Sequence, residues 1–406
     1  MKISKNAKNA LYITLLCSLT YLAVYFAKNI LSAVSPQMLE AGVSSQSMIG
    51  TYSSVYFICY AVGQLINGIV GDKIKARYMI CFGVILAGVS ILFFINLMNK
   101  PIFSCIAYGL TGIFLSMIFG PITKLVAENT EPIYAPRCSV GYNFAAYLGS
   151  PFAGLAASFL AWNAVFYIGV SALIVMGCIC FVIFLVYEKK GIIKYNRFEL
   201  RKDNNEKVSA FDKLKTLVKH DIIRFAVIAI ITGVVRTAVV FWLPVYLVQN
   251  LGFSSDASAS IFTVATMALS LNAFISVFVY EKLKRNMNLT ILLAFSIATV
   301  MFLLVYFIKL PVLNIIFLIL AVLSSNCAAS MLWSRYCPSL RETGLVSTAT
   351  GFLDFTSYMA ASAASSIFAN AVTVIGWGNL ILVWCGLMII GFTVAFPAVI
   401  SKKSKQ

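Results

Sequence analysis

Apolar runs of about 20 residues or more, each long enough to cross the hydrocarbon of a bilayer as a helix, recur from one end of this chain to the other. A water-soluble globule could not cover that much apolar surface, since 61% of the 406 residues are hydrophobic and only 11% are charged. In lipid every backbone N–H and C=O must be satisfied by protein, so runs of this length imply helices. Turn and charge clusters divide the chain into twelve candidate helices at roughly 10–35, 48–71, 78–98, 101–126, 138–161, 163–187, 222–249, 258–280, 288–308, 311–334, 345–369 and 377–400. The predicted class is an all-α, multi-pass membrane protein: a six-helix bundle over 1–187, a basic linker over 188–221 and a second six-helix bundle over 222–406. The opening MKISKNAKNALYITLLC imitates a signal peptide, but its apolar part runs past signal length without a small-residue cleavage site, so an uncleaved first span is expected.

The basic residues orient this scheme. With a cytoplasmic N-terminus, 27 of the 31 Lys and Arg fall on cytoplasmic segments, and only Lys100 and Lys309 fall outside. Such an asymmetry predicts both termini in the cytoplasm. It also accounts for the net charge of +17 without a nucleic-acid partner, because the basic linker has no aromatic interleaving and an anionic lipid leaflet is its expected neighbour. The ten cysteines sit within apolar runs or at their ends and read as small packing residues. Cys178 and Cys180 have no nearby Cys or His to complete a zinc site, so no metal and no cofactor is expected. An enzyme is not expected either: no Ser-His arrangement, carboxylate pair or phosphate-cradling loop stands out.

Two basic residues remain, and both fall inside helices: Lys28 and Arg236. A charge at a helix centre costs about 2.5–3.5 kcal/mol on insertion scales. Lys28 precedes Pro36 by eight residues and Arg236 precedes Pro244 by eight, an offset of 208 in both cases. The loop Asp72-Lys73-Ile74-Lys75 recurs as Glu281-Lys282-Leu283-Lys284 at an offset of 209, which points to an internal duplication of parallel topology. Lys28 has one bland reading, a long stem snorkelling toward the interface, and Arg236 has another, a buried ion pair with Asp354. The functional reading is that both line a water-filled path and attract an anion, Arg236 offering a planar fork to two oxygens at once.

These two halves, with the motif Gly68-x-x-x-Asp72-Lys73-x-Lys75-x-Arg77, make the chain resemble the major facilitator superfamily over essentially its whole length. More narrowly, "YFAKNILSAVSPQM", "ICYAVGQLINGIVGDKIKAR", "RTAVVFWLPVYL" and "TGFLDFTSYMAASAA" resemble the organophosphate:phosphate antiporter family, which includes bacterial glycerol-3-phosphate and hexose-phosphate transporters. That resemblance implies a fold of two six-helix bundles rocking about a central site, with a basic residue from the first and the seventh helix at the phosphate-binding centre. Those positions fall on Lys28 and Arg236. Tyr25, Tyr60 and Tyr358 match tyrosines of the family's substrate chamber. Tyr21 shares a helix face with Tyr25 and Lys28, and Gln64 shares one with Tyr60. Asn143 and Tyr147 on the fifth helix are polar groups at depth that either bond substrate or tie helices together.

The chain also departs from the family pattern. Position 28 is Lys where the glycerol-3-phosphate transporter has Arg, Gln64 replaces a basic residue, and the family's histidine on the fifth helix falls near Ala146, while the lone His220 lies in the linker. These changes remove positive charge, so a singly charged carboxylate or sulfonate competes with a phosphate ester as the expected solute. Asp354 either neutralises a basic neighbour or carries a proton, so phosphate or a proton is the expected counter-ion. Gly68, Asp72, Lys73, Arg77, Glu281 and Lys282 either serve topology alone or, by resemblance, form a cytoplasmic gate. Gly63, Gly68, Gly112, Gly120, Gly141, Gly149 and Gly351 are expected where helices approach closely, and Pro121 and Pro151 where they bend. The expectation is a monomeric secondary active transporter of a small organic anion in the cytoplasmic membrane. The alternatives are a transporter-like membrane sensor of an organic phosphate and a proton-coupled efflux carrier.

Overall fold

The computed structural model describes residues 4–131, 133–194, 210–343 and 346–403, and among these every regular element is helical. The first half comprises α1 (Lys5–Glu40), α2 (Gln46–Lys73), α3 (Ala76–Asn96), α4 (Pro101–Ser116), α5 (Phe119–Asn129), α6 (Ala135–Phe159) and α7 (Trp162–Lys189). Serines start the first two helices: Ser4 accepts the N–H of Ala7 and Ser45 that of Met48, each satisfying a donor that has no partner in the first turn. The fourth expected span is split at Met117–Ile118, four residues before Pro121. Proline has no N–H to give to the carbonyl four residues back, and its ring crowds that carbonyl. Pro151, expected to act likewise, lies inside an unbroken α6.

A short helix α8 (Ala210–Lys219) precedes α9 (Ile222–Gly233), a π-turn (Val234–Val239) and α10 (Val240–Gln249). Then come α11 (Ser255–Ser270), α12 (Asn272–Lys282), α13 (Met287–Phe307) and α14 (Pro311–Met331), followed by a second π-turn (Leu332–Tyr336), α15 (Cys337–Ser339), a 3-10 turn (Leu340–Thr343) and α16 (Val346–Lys403). Two helices follow one another within α16, parted by a kink at the non-helical Gly376 (φ 74°, ψ 167°) where the sequence separates its last two spans. Among the described residues nine segments are long and apolar enough to cross a bilayer, and one of these, Ala349–Pro397, contains that break. The arrangement is compatible with the twelve spans of the sequence reading.

By packing, the chain forms two units, Met1–Arg201 with Gly252–Met267, and Lys202–Leu251 with Ala268–Gln406. In the first, α1 packs most extensively on α6, α2 on α4 and α3 on α7. Glycine sets the closest of these approaches. A Cβ added at Gly149 would stand 2.5 Å from the backbone of Tyr25 and Phe26, and one at Gly112 would stand 2.5 Å from the carbonyl oxygen of Tyr56. The first part of α11 belongs to this unit through Gly154, whose added Cβ would lie 2.5 Å from Thr263 Oγ1. In the second unit α16 runs along α9 and α13, and α13 along α14. Gly120 and Gly351, expected at close approaches, have no neighbouring atom among the described residues within 4 Å of an added Cβ.

Candidate functional site

In the first unit α1 carries Tyr21, Tyr25 and Lys28 at a spacing that stacks them on one face. Their partners come from α2, α5 and α6. The Lys28 ammonium lies over two rings, 5.1 Å from the centroid of Tyr25 and 4.5 Å from that of Tyr60. Both are within the distance at which an aromatic face attracts a cation. Tyr60 is 4% exposed and stacks on Tyr56 at 5.9 Å. Tyr21, buried, meets Tyr25 at 5.2 Å, Tyr142 at 5.9 Å and Phe119 at 6.1 Å. Gln64 stands one turn beyond Tyr60 on α2 and is half-buried. Lys28 is thus embedded in a wall of rings, with Gly149 fixing the backbone of Tyr25 and Phe26 one turn earlier.

Two of the expected site residues stand apart from that wall in their described contacts. Asn143 donates its amide at 2.8 Å to the carbonyl of Ser139 on its own helix, and Tyr147 is 44% exposed.

In the second unit the residue of interest is carried by an irregularity. Arg236 sits in the π-turn between α9 and α10 and is half-buried. Single π-turns within α-helices are frequent at functional sites. Its Nη2 lies 3.5 Å from Ser357 Oγ and its guanidinium carbon 5.8 Å from the centre of the Tyr358 ring. Ser357 (2% exposed) and Tyr358 (8%) belong to α16, one turn after the half-buried Asp354. Ser357 does not stand out in sequence, where a serine in an apolar helix is unremarked. Its signal was its place at i+3 from Asp354 and next to Tyr358.

Of the gate residues, Gly68, Asp72 and Lys73 fall in the last turns of α2, and their side chains lie outside the described residues. Arg77 is buried and paired with Glu188 at 2.8 Å, with the rings of Tyr78 and Phe181 at 4.6 and 5.5 Å. Sequence reasoning missed Glu188 because it took that residue as the start of the linker, whereas α7 continues to Lys189. Glu281 and Lys282 end α12 and are exposed.

Helical throughout its described residues, with nine segments there long and apolar enough to cross a bilayer, the chain has the make-up of a multi-pass membrane protein. Residues 17–365 match the Major Facilitator Superfamily, and the chain belongs to that family. Over 71 residues it is 35% identical to the membrane sensor protein UhpC of Salmonella typhimurium, covering 18% of this chain and 16% of that protein. Over 165 residues it is 22% identical to a probable hexose phosphate transport protein of Chlamydia trachomatis, covering 40% of this chain and 36% of that one. The chain therefore spans between about a sixth and about a third of the length of these curated relatives. Among solved structures, a D-xylose-proton symporter superposes with a TM-score of 0.75 at 12% identity, over 95% of this chain and 97% of that one. A point mutant of the nucleoside transporter NupG gives 0.74 at 13% identity over 96% and 100%. At such identities these likenesses concern the fold alone.

Proposed function

We propose that this protein is a secondary active transporter that carries a small organic anion across the cytoplasmic membrane by alternating access of its two halves, residues 1–187 and 222–406. Lys28 and Arg236 hold the anion, one from each half. The observation that carries this reading is the repeated pairing of a membrane-embedded cation with tyrosine. Lys28 lies 4.5 Å from the ring of Tyr60, and Arg236 lies 5.8 Å from that of Tyr358. An aromatic face eases the burial of a cation without neutralising it. The partial kinship with hexose phosphate transport proteins supports a phosphate ester as solute. Lys at position 28 and Gln at position 64 support a singly charged anion.

Asp354, one turn before Ser357 and Tyr358, is the group we assign to proton coupling or to charge pairing in the empty protein. Uptake into proteoliposomes of phosphate esters, carboxylates, sulfonates and neutral sugars, with and without a pH gradient, tests solute class and coupling together. Accumulation of anions that vanishes in Arg236→Gln is the expected result. Transport that survives this substitution ends the reading.

A second reading, a membrane sensor of an organic phosphate, is favoured by the 35% identical stretch shared with a sensor protein. Anion binding with no vesicle uptake for any solute would select it.

A further inference from the structure

The way Arg236 is held implies more than its charge. Two contacts pin its helix to α16, one on each side of the π-turn. Below, Gly233 meets Ser357 so closely that an added Cβ would stand 2.3 Å from Ser357 Oγ and 2.7 Å from its carbonyl oxygen. Above, the indole N–H of Trp242 donates to the carbonyl of Ser365 at 3.1 Å. Both members of these contacts rise in number together, so the two helices run in the same direction. Between these two contacts lies the π-turn at 234–239, whose wider turn carries one residue more than a regular α-helix would. Arg236 lies in that turn, and its Nη2 reaches Ser357 Oγ, the atom of the lower contact.

Resting on the anion-site reading above, we infer that the extra residue of the π-turn aims Arg236 and that Ser357 is its positioning residue. Gly233 serves by letting Ser357 come near enough to act. A regular α-helix pinned at the same two places would turn the guanidinium away from the flank of α16. Removing the hydroxyl would take away the contact between Nη2 and Ser357 Oγ.

Two variants test this, read by equilibrium binding of one anion transported by the wild type and by thermal unfolding. Deleting Ala238 removes the extra residue of the π-turn and leaves Gly233 and Trp242, which make the two contacts with α16, in place. It should unfold close to the wild-type temperature and lose anion affinity by more than tenfold. Ser357→Ala should weaken binding about tenfold, the equivalent of one hydrogen bond to a charged group, raising the transport KM with little change in the maximal rate. In an Arg236→Lys background the same Ser357→Ala change should cost less than about twofold, because the residue acts through the guanidinium. Equal losses in both backgrounds, or wild-type affinity in Ser357→Ala, would overturn the inference, and Ser357→Ala decides it if the deletion does not accumulate. Wild-type protein that binds no anion sinks the proposed function and this inference with it. A binding wild type with variants that match it sinks this inference alone.

Discussion

Replacing one glycine by alanine should have opposite effects at two positions that look alike in sequence. At Gly149 the new Cβ would stand 2.5 Å from three atoms of Tyr25 and Phe26, two of them backbone. Ordinary contacts between such atoms are about 3.5–4.0 Å, so α6 and α1 must part by about 1 Å along the most extensive packing in their unit. Overpacking of this kind costs about 1–3 kcal/mol, and the better helix propensity of alanine returns about 0.8–1 kcal/mol of it. Gly149→Ala should therefore destabilise by up to about 2 kcal/mol. It should also displace Lys28, one turn further along α1. At Gly351 no atom of the described residues lies within 4 Å of an added Cβ, so Gly351→Ala should stabilise by up to about 1 kcal/mol through propensity alone. Thermal unfolding of both variants and the wild type in one detergent, at one scan rate, reads the difference. If Gly149→Ala unfolds at or above the wild-type temperature, or Gly351→Ala falls as far below it, the close-approach reasoning is wrong.

Three further outcomes follow from the same geometry. Arg77→Met should destabilise by on the order of 3 kcal/mol, since it leaves Glu188 desolvated and unpaired at the end of α7; adding Glu188→Leu should recover most of the loss, and an unfolding temperature unchanged by the single substitution would show that the pair is idle. Lys28→Arg replaces a point charge by a fork while keeping a cation over Tyr25 and Tyr60, so competition assays should show a several-fold gain for phosphate esters over carboxylates. If Asp354 carries the proton, Asp354→Asn should leave anion exchange intact while removing its response to a pH gradient. Loss of exchange and gradient response together would assign it to charge pairing.

Much of the architecture was legible along the chain. The bilayer applies a one-dimensional rule, about 20 apolar residues per crossing, and nine segments among the described residues meet it. The kinship with the Major Facilitator Superfamily followed from loop motifs whose order needs no three-dimensional information, and the recurrence of Lys28 and Arg236 at the same distance from a proline is what led the sequence reading to expect a duplication.

Which faces meet was decided by tertiary structure. In lipid the outward face of a helix is as apolar as its packed face, so periodicity does not separate them: Ile102 is 73% exposed while Val84 is fully buried, and both are ordinary aliphatic residues in spans. Gly149 and Gly351 differ only in what stands opposite them, Arg77 finds a carboxylate 111 residues away, and Arg236 finds a hydroxyl 121 residues away. The π-turn at Val234–Val239 was likewise decided by the folded backbone, because one extra residue in an apolar helix changes nothing in the sequence pattern.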